Sequence, residues 1–110
     1  MKTQFAVWRY NFPTKGEHPC VLISHPDISA RGVLVNVLFC TSQRQSRPPK
    51  ADEVLLDTAD GLDWETFVVC SQIWLIESSS LFGYRGRVSL ERRNAIRAKI
   101  RDLYRLSATD

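Results

Sequence analysis

The front two-thirds of the chain alternates between short apolar runs and polar breaks, which is the pattern of β-strands joined by loops. In segment 5–12 (FAVWRYNF), Trp8, Tyr10 and Phe12 occupy every second position, as in a strand with one buried face. Further runs, bounded by Pro, Gly and polar residues, predict strands over 19–24, 32–42, 53–57 and 66–77. The run 32–42 is apolar on both faces, so we expect it in the centre of a sheet.

The pattern changes to a helical period near the end of the sequence. Ile96, Ile100 and Leu103 recur at helical spacing, so they form the apolar stripe of a helix predicted over 89–106. Five or six short strands followed by one helix predict a mainly β fold with a C-terminal helix. We expect a small, strongly bent antiparallel sheet or a partly open barrel, with the helix packed against it.

Composition is that of a globular protein, with 110 residues, 44% of them apolar and 25% charged. This size predicts one domain over 1–110. The longest apolar stretch, GVLVNVLFC, is too short for a membrane span, which needs about 20 residues. No signal segment is evident at the start, so we expect a cytoplasmic protein with no membrane partner. Three cysteines inside apolar runs predict buried thiols rather than disulfides.

Positive charge is concentrated near the C-terminus. The net charge is +3, but residues 85–106 carry seven Arg, one Lys and two acids, which sums to +6 and leaves −3 for the other 88 residues. A stripe of arginines follows the predicted helix at intervals of four, at positions 93, 97, 101 and 105. The stripe is either a solvated helix face or a surface for an anionic partner, and arginine favours phosphate and carboxylate groups.

Segment 16–27 (GEHPCVLISHPD) holds both histidines and one cysteine. On an extended strand His18 and Cys20 face one side, whereas His25 faces the other and is expected to end the strand before a proline. A zinc site needs three or four converging ligands, so we predict no metal site here. No Ser-His-Asp signature and no phosphate-binding glycine loop are present.

Several short motifs follow one another in an informative order: VWRYNF, HPCVLIS, VLFCTSQ, EVLLD, DGLDWETFVVCSQI and YRGRVSLERRNAIRAKIRDLYRL. In this order the chain resembles the MazF/PemK family of toxin endoribonucleases from bacterial toxin–antitoxin pairs, over roughly residues 6–106. The resemblance implies an SH3-like barrel, usually a homodimer. It also implies cleavage of single-stranded RNA by 2′-hydroxyl attack without a metal ion or other cofactor, and neutralisation by a small acidic antitoxin.

The resemblance assigns catalytic roles to three residues. Thr41 and Ser42 match the Thr-Ser whose hydroxyl contacts the scissile phosphate. His18 stands where many members have an arginine that stabilises the phosphate. Histidine can donate to a phosphate and can exchange protons near neutral pH, but its reach is shorter. The structural alternatives are that His18 is an exposed loop residue and that Thr41 and Ser42 only cap a strand end.

Five further residues are expected to bind RNA. Gln72 matches a glutamine commonly near bound RNA, and Glu17 precedes His18 at the mouth of the expected groove. Arg44 and Arg47 lie in the loop that leaves the same strand end, so they are expected to supply the charge that position 18 lacks. Trp64, between two acids, is expected to be exposed and to stack on an unpaired base.

Two other functions stay open at this point. One is a barrel of this family that has lost catalysis and binds RNA or protein. It is favoured by His18 and by Val69 and Ser71, which stand where some relatives have an arginine and an acid. The other is an interaction protein that docks an acidic partner on its arginine-rich helix.

Overall fold

The computed structural model describes residues 2–41 and 47–106. Within them, six antiparallel strands form one sheet in the order β4-β5-β3-β2-β1-β6, accompanied by two α-helices. The mainly β fold with a C-terminal helix is therefore confirmed. The elements are β1 Ala6–Phe12, β2 Gly16–Leu22, α1 Pro26–Arg31, β3 Leu34–Cys40, β4 Glu53–Leu56, β5 Thr66–Glu77, β6 Phe82–Arg87 and α2 Leu90–Leu103.

The central strand β3 is buried on both faces, as its sequence predicts. Val37, Leu38, Phe39 and Cys40 are all buried although they alternate between the two sides. One helix cannot cover six strands, so the sheet curls to enclose apolar side chains on both sides. The helix-side core comprises Phe5, Val7, Val21, Leu38, Cys40, Val54, Leu56, Leu62, Val68, Cys70, Val88 and Ile96. The opposite core comprises Phe12, Cys20, Leu22, Val35, Val37, Phe39, Val69, Ile76 and Leu81.

The turn between β1 and β2 is tight and strained. The N–H of Lys15 donates to the carbonyl of Phe12 at 3.2 Å, with Pro13 and Thr14 between them. This is the sequence pattern of a type II turn, in which the third position has a positive φ and usually carries glycine. Thr14 has a φ of 64°, which is unfavourable for a β-branched residue. The turn lets β2 begin at Gly16, three residues earlier than the apolar run predicts.

Two elements differ from the sequence-based expectation. His25 does not end a strand, because its Nδ1 accepts the N–H of Asp27 at 3.1 Å and caps α1, with Pro26 in the first turn. Six residues are too few to show a helical period, so α1 was not predictable. Strand β6 was not among the strands that the sequence predicted, yet it pairs with β1 and has Gly83 and Gly86 at positive φ.

A buried carboxylate ties the start of α2 to the 3₁₀ turn at residues 58–60. Asp60 is fully buried and accepts from the N–H of Asp57 at 2.9 Å and the N–H of Ser89 at 2.8 Å. Arg92 Nη1 lies 2.7 Å from Asp60 and 2.6 Å from Asp57. The hydrogen bond from Arg92 also holds the pKa of Asp57 below its ordinary value. This Asp60 cluster joins segments about 30 residues apart in sequence.

None of the helices in the described part of the chain is long and apolar enough to cross a membrane.

Candidate functional site

His18 lies on β2 and packs against the rings of the opposite core. Its imidazole centroid is 4.8 Å from that of Phe39 and 6.4 Å from that of Phe12. Its Nε2 is 3.1 Å from the carbonyl oxygen of Lys15 in the turn before the strand. These contacts hold the imidazole at the strand end, where it is half-buried rather than extended from a loop.

Thr41 directly follows β3. The last residue pair between β2 and β3 at this end is Cys20 with Phe39, and continuing the antiparallel register by two residues would bring His18 level with Thr41. The Thr41 hydroxyl accepts the N–H of Phe67 at 3.2 Å, so Thr41 does cap the strand end. Its hydroxyl proton can still be donated, because a hydroxyl is both acceptor and donor. The structural and the functional roles of Thr41 are therefore compatible.

Arg47 reaches the same strand end, but its charge is neutralised. Its guanidinium makes two bonds to Glu53, of 2.8 and 3.1 Å, and lies 4.3 Å from the centroid of the Phe67 ring. The N–H of Lys50 also donates to Glu53 at 2.8 Å. The hydrogen bond from Arg47 lowers the pKa of the buried Glu53 carboxyl, so the pair is ionised at neutral pH. Arg47 is thus occupied by a structural ion pair.

Lys15 supplies a cation at this place that the sequence analysis missed. The β1–β2 turn places its Nζ 4.8 Å from the centroid of Phe39, the ring that His18 also contacts. Within the described residues Lys15 forms no ion pair, and its side chain is exposed. The sequence signal was the short PTKG turn, which folds the lysine back toward the start of β2.

Gln72 is half-buried and lies in a bulge of β5. Leu38 of β3 pairs with Ile73 of β5, but Cys40 pairs with Val68. Residues 69–72 of β5 therefore lie opposite the single residue Phe39, which makes a bulge in β5. The register therefore places the backbone of Gln72 on the strand beside Phe39. We call this group, consisting of Lys15, His18, Phe39, Thr41 and Gln72, the Phe39 cluster.

Glu17 and Trp64 belong to the other side of β2. Adjacent strand residues face opposite sides, and Glu17 pairs with Arg9, with 2.5 Å between Oε1 and Nε. Trp64 is 44% exposed and lines a small pocket with Arg9 and Pro19. The structure thus separates these two residues from His18.

The remaining predicted residues, Ser42 and Arg44, lie outside the described part of the chain. Within residues 2–41 and 47–106, no group of three or more His, Cys, Asp or Glu side chains is placed to hold a metal ion. Burial raises the pKa of the Cys20 and Cys70 thiols to about 12, so neither is a thiolate nucleophile at neutral pH.

The Arg47–Glu53 pair predicts a specific pH dependence. The pKa of Glu53 is lowered in the folded state. The ionised Glu53 carboxylate therefore stabilises the fold fully above the pKa that it has in the unfolded chain, about 4.3. This stabilisation is lost as the pH falls through the pKa of Glu53 in the folded protein. We expect Glu53→Gln to lower the free energy of unfolding at about pH 7, and the difference from the parent protein to shrink at about pH 3. Urea denaturation at both pH values measures this.

The control for that experiment is Glu65→Gln. Glu65 is exposed and forms no ion pair within the described residues, so its substitution should change stability little at either pH. An equal loss for Glu53→Gln at both pH values would show that the lost packing, and not the ion pair, is responsible.

Comparison with known proteins adds a family and a fold. The family model described as "PemK-like, MazF-like toxin of type II toxin-antitoxin system" matches residues 3–104. A search of curated protein sequences finds no match.

Three solved structures illustrate the similarity of the fold. A mycobacterial endoribonuclease in complex with its cognate antitoxin has a TM-score of 0.80 at 19% identity, covering 97% of this chain and 98% of that one. Mycobacterium tuberculosis toxin MazF-mt6 has a TM-score of 0.78 at 18% identity, with coverages of 93% and 98%. A MazE–MazF structure from Deinococcus radiodurans has a TM-score of 0.72 at 19% identity, with 96% of each chain covered.

Proposed function

Because the chain belongs to the PemK-like, MazF-like toxin family of type II toxin–antitoxin systems, we propose that it is an endoribonuclease that cleaves single-stranded RNA. The observation that carries the proposal is the Phe39 cluster. It combines a histidine, a hydroxyl donor and a lysine at one end of the sheet. These are the groups that phosphodiester cleavage by an internal nucleophile requires.

The reaction is an attack of the ribose 2′-oxygen on the adjacent phosphorus. The bond from phosphorus to the 5′-oxygen breaks, leaving a 2′,3′-cyclic phosphate on one fragment and a 5′-hydroxyl on the other. One proton leaves the 2′-hydroxyl and one is delivered to the 5′-oxygen, and His18 takes part in this transfer. Thr41 donates its hydroxyl proton to a non-bridging phosphate oxygen, and Lys15 stabilises the negative charge.

RNA cleavage in the presence of EDTA tests the proposal. The purified protein is incubated with a long unstructured RNA, and the fragment ends are identified. We expect discrete cuts with cyclic phosphate and 5′-hydroxyl ends, and a rate about 100-fold lower for Thr41→Ala, because one donor to the phosphate is lost. Thr41→Ser keeps the hydroxyl and is the matched control.

A second function is favoured by one observation: the arginine that could replace the missing charge at position 18, Arg47, is bound to Glu53. A barrel with too little positive charge at the phosphate would bind RNA without cleaving it. Intact RNA from a folded protein, together with salt-sensitive RNA binding, would identify such a binding module and contradict the endoribonuclease.

The partners follow from the same proposal. The toxin acts in the cytoplasm, where a small acidic antitoxin neutralises it. A second copy forms a homodimer, and a surface suited to it is the exposed apolar patch of Leu34, Ile73 and Leu75 on β3 and β5, where Leu75 alone is 64% exposed. Apolar side chains grouped on adjacent strands in this way typically mark a protein interface.

A further inference from the structure

A group of aromatic rings lies next to the Phe39 cluster, with the buried ring of Phe12 at its centre. The centroid of Phe12 is 4.8 Å from that of Tyr10 and 5.3 Å from that of Trp74, both in edge-to-face contact. The same ring lies 5.0 Å from Phe39 and 6.4 Å from His18. We call Tyr10, Phe12 and Trp74 the aromatic platform.

Strand register joins the platform to the proposed catalytic residues. Tyr10 of β1 pairs directly with His18 of β2 in the antiparallel sheet. Residues paired in this way point to the same face, with Cβ atoms about 4.5–5.5 Å apart. A nucleotide whose phosphate is bound at His18 therefore lies beside the platform.

The outer rings of the platform are accessible. Tyr10 and Trp74 are half-buried and pack against the opposite core, to which neither α1 nor α2 contributes a residue. Within the described part of the chain, the Tyr10 hydroxyl and the Trp74 indole N–H have no hydrogen-bond partner. An apolar ring that keeps an unused polar tip at the surface is typical of a binding surface.

We propose that the aromatic platform binds an unpaired base of the RNA, stacked on Tyr10 and Trp74. The assignment rests on the proposed function, since RNA has to bring a phosphate to His18. Aromatic side chains can stack on any base, because every base has a π-face. The Tyr10 hydroxyl and the Trp74 N–H donate to acceptor atoms on the edge of the stacked base, so the acceptors that a base presents determine how well it binds.

The neighbouring residues favour a nucleotide over an apolar protein surface. Lys15 is exposed and lies 4.8 Å from the centroid of Phe39, so a cation adjoins the platform. Aromatic rings next to positive charge are the combination with which proteins bind single-stranded nucleic acid. The exposed apolar patch proposed for a second copy includes Leu75, which is adjacent to Trp74 on β5 and therefore faces the other side of the sheet.

Binding of two 8-nucleotide RNAs, measured by fluorescence anisotropy, tests the proposal. One is a fluorescein-labelled oligoadenylate and the other is the same backbone without bases. Both carry a 2′-O-methyl group on every ribose, which blocks the internal nucleophile and prevents cleavage. We expect Tyr10→Leu/Trp74→Leu to bind the oligoadenylate at least about fivefold more weakly than the parent chain, the effect of losing the stacking of one base. Its affinity for the baseless backbone should be unchanged.

Three comparisons separate stacking from other effects. Tyr10→Phe/Trp74→Phe keeps the rings and should lose less oligoadenylate affinity than the Leu variant. Lys15→Gln should weaken binding of both RNAs, because it removes a charge that faces the phosphates. Tyr104→Leu is the matched control, since it removes an exposed ring that is not part of the platform, and it should change neither affinity.

Because Tyr10 and Trp74 also pack against the core, the single variants Tyr10→Leu and Trp74→Leu are measured as well. Each should show part of the same base-specific loss, and unchanged binding of the baseless backbone shows that the protein is folded.

Several outcomes would overturn the proposal. They are a parent chain that binds neither RNA, an equal loss for both RNAs in the Leu variants, and no loss for either. A change of sedimentation coefficient confined to the Leu variants would assign the platform to a contact between copies and would equally overturn it. Cleavage is measured separately. Base-specific binding without cleavage would contradict only the endoribonuclease, whereas cleavage that is independent of Tyr10 and Trp74 would contradict only the platform.

Discussion

Replacing His18 with Ala is expected to lower the rate of RNA cleavage by about 100- to 10,000-fold, the usual contribution of a positioned proton-transfer group. The imidazole packs against Phe39 near the start of β2, and in the proposed reaction the phosphate binds between it and Thr41. Single-turnover cleavage of a short RNA with one cut site measures the chemical step directly. One of the two pH-dependent slopes in the cleavage rate of the parent protein should be absent in the variant.

His25→Ala is the matched control, because His25 is the other histidine of the chain, and it caps α1 and is not part of the Phe39 cluster. It should cleave at the parent rate. Lys15→Gln provides a second comparison, with a smaller loss that keeps the shape of the pH profile, since a charge and not a proton donor has been removed. A rate unchanged by His18→Ala in a folded protein would remove His18 from the catalytic set.

Replacing Arg92 with Met is expected to cost about 3–5 kcal/mol of unfolding free energy, the typical effect of breaking a buried ion pair from one side. Arg92 is the cation for the fully buried Asp60 and also pairs with Asp57. Without it, the Asp60 charge stays buried with only the N–H groups of Asp57 and Ser89 as donors. Urea denaturation at neutral pH measures the loss.

Arg93→Met is a closely matched control, since it makes the same change one residue later on the same helix. Arg93 has no carboxylate partner within the described residues and lies near two other arginines. Its replacement should leave the urea midpoint unchanged or raise it. Equal losses for both substitutions would show that side-chain packing on α2, and not the charge of Arg92, accounts for the effect.

Much of the fold could be predicted from local patterns. Burial is predicted directly by the alternation of Trp8, Tyr10 and Phe12 and by the apolar run of β3. The spacing of Ile96 and Ile100 predicts the buried face of the helix. Strand β6 did not show this signal, because its two glycines carry no side chain to alternate and its other residues are mostly exposed.

The candidate site was less predictable, because it depends on where strands end and how turns close. Motif order pointed to His18 and Thr41, but the proximity of Lys15 to His18 and Phe39 depends on a turn that holds Thr14 in an unfavourable conformation. The pairing of Arg47 with Glu53 was equally hidden. A glutamate at the start of a strand normally faces solvent, whereas here it is buried beneath an arginine.

The Asp60 cluster also bears on how the molecule opens. A C-terminal helix held only by apolar contacts can detach while the sheet stays intact, as a separate low-energy unit. Here the first turn of α2 is fastened to a carboxylate that also receives the backbone of the preceding 3₁₀ turn. Detaching the helix would leave the buried Asp60 carboxylate without Arg92 and without the N–H of Ser89. The helix and the turn therefore form one cooperative unit.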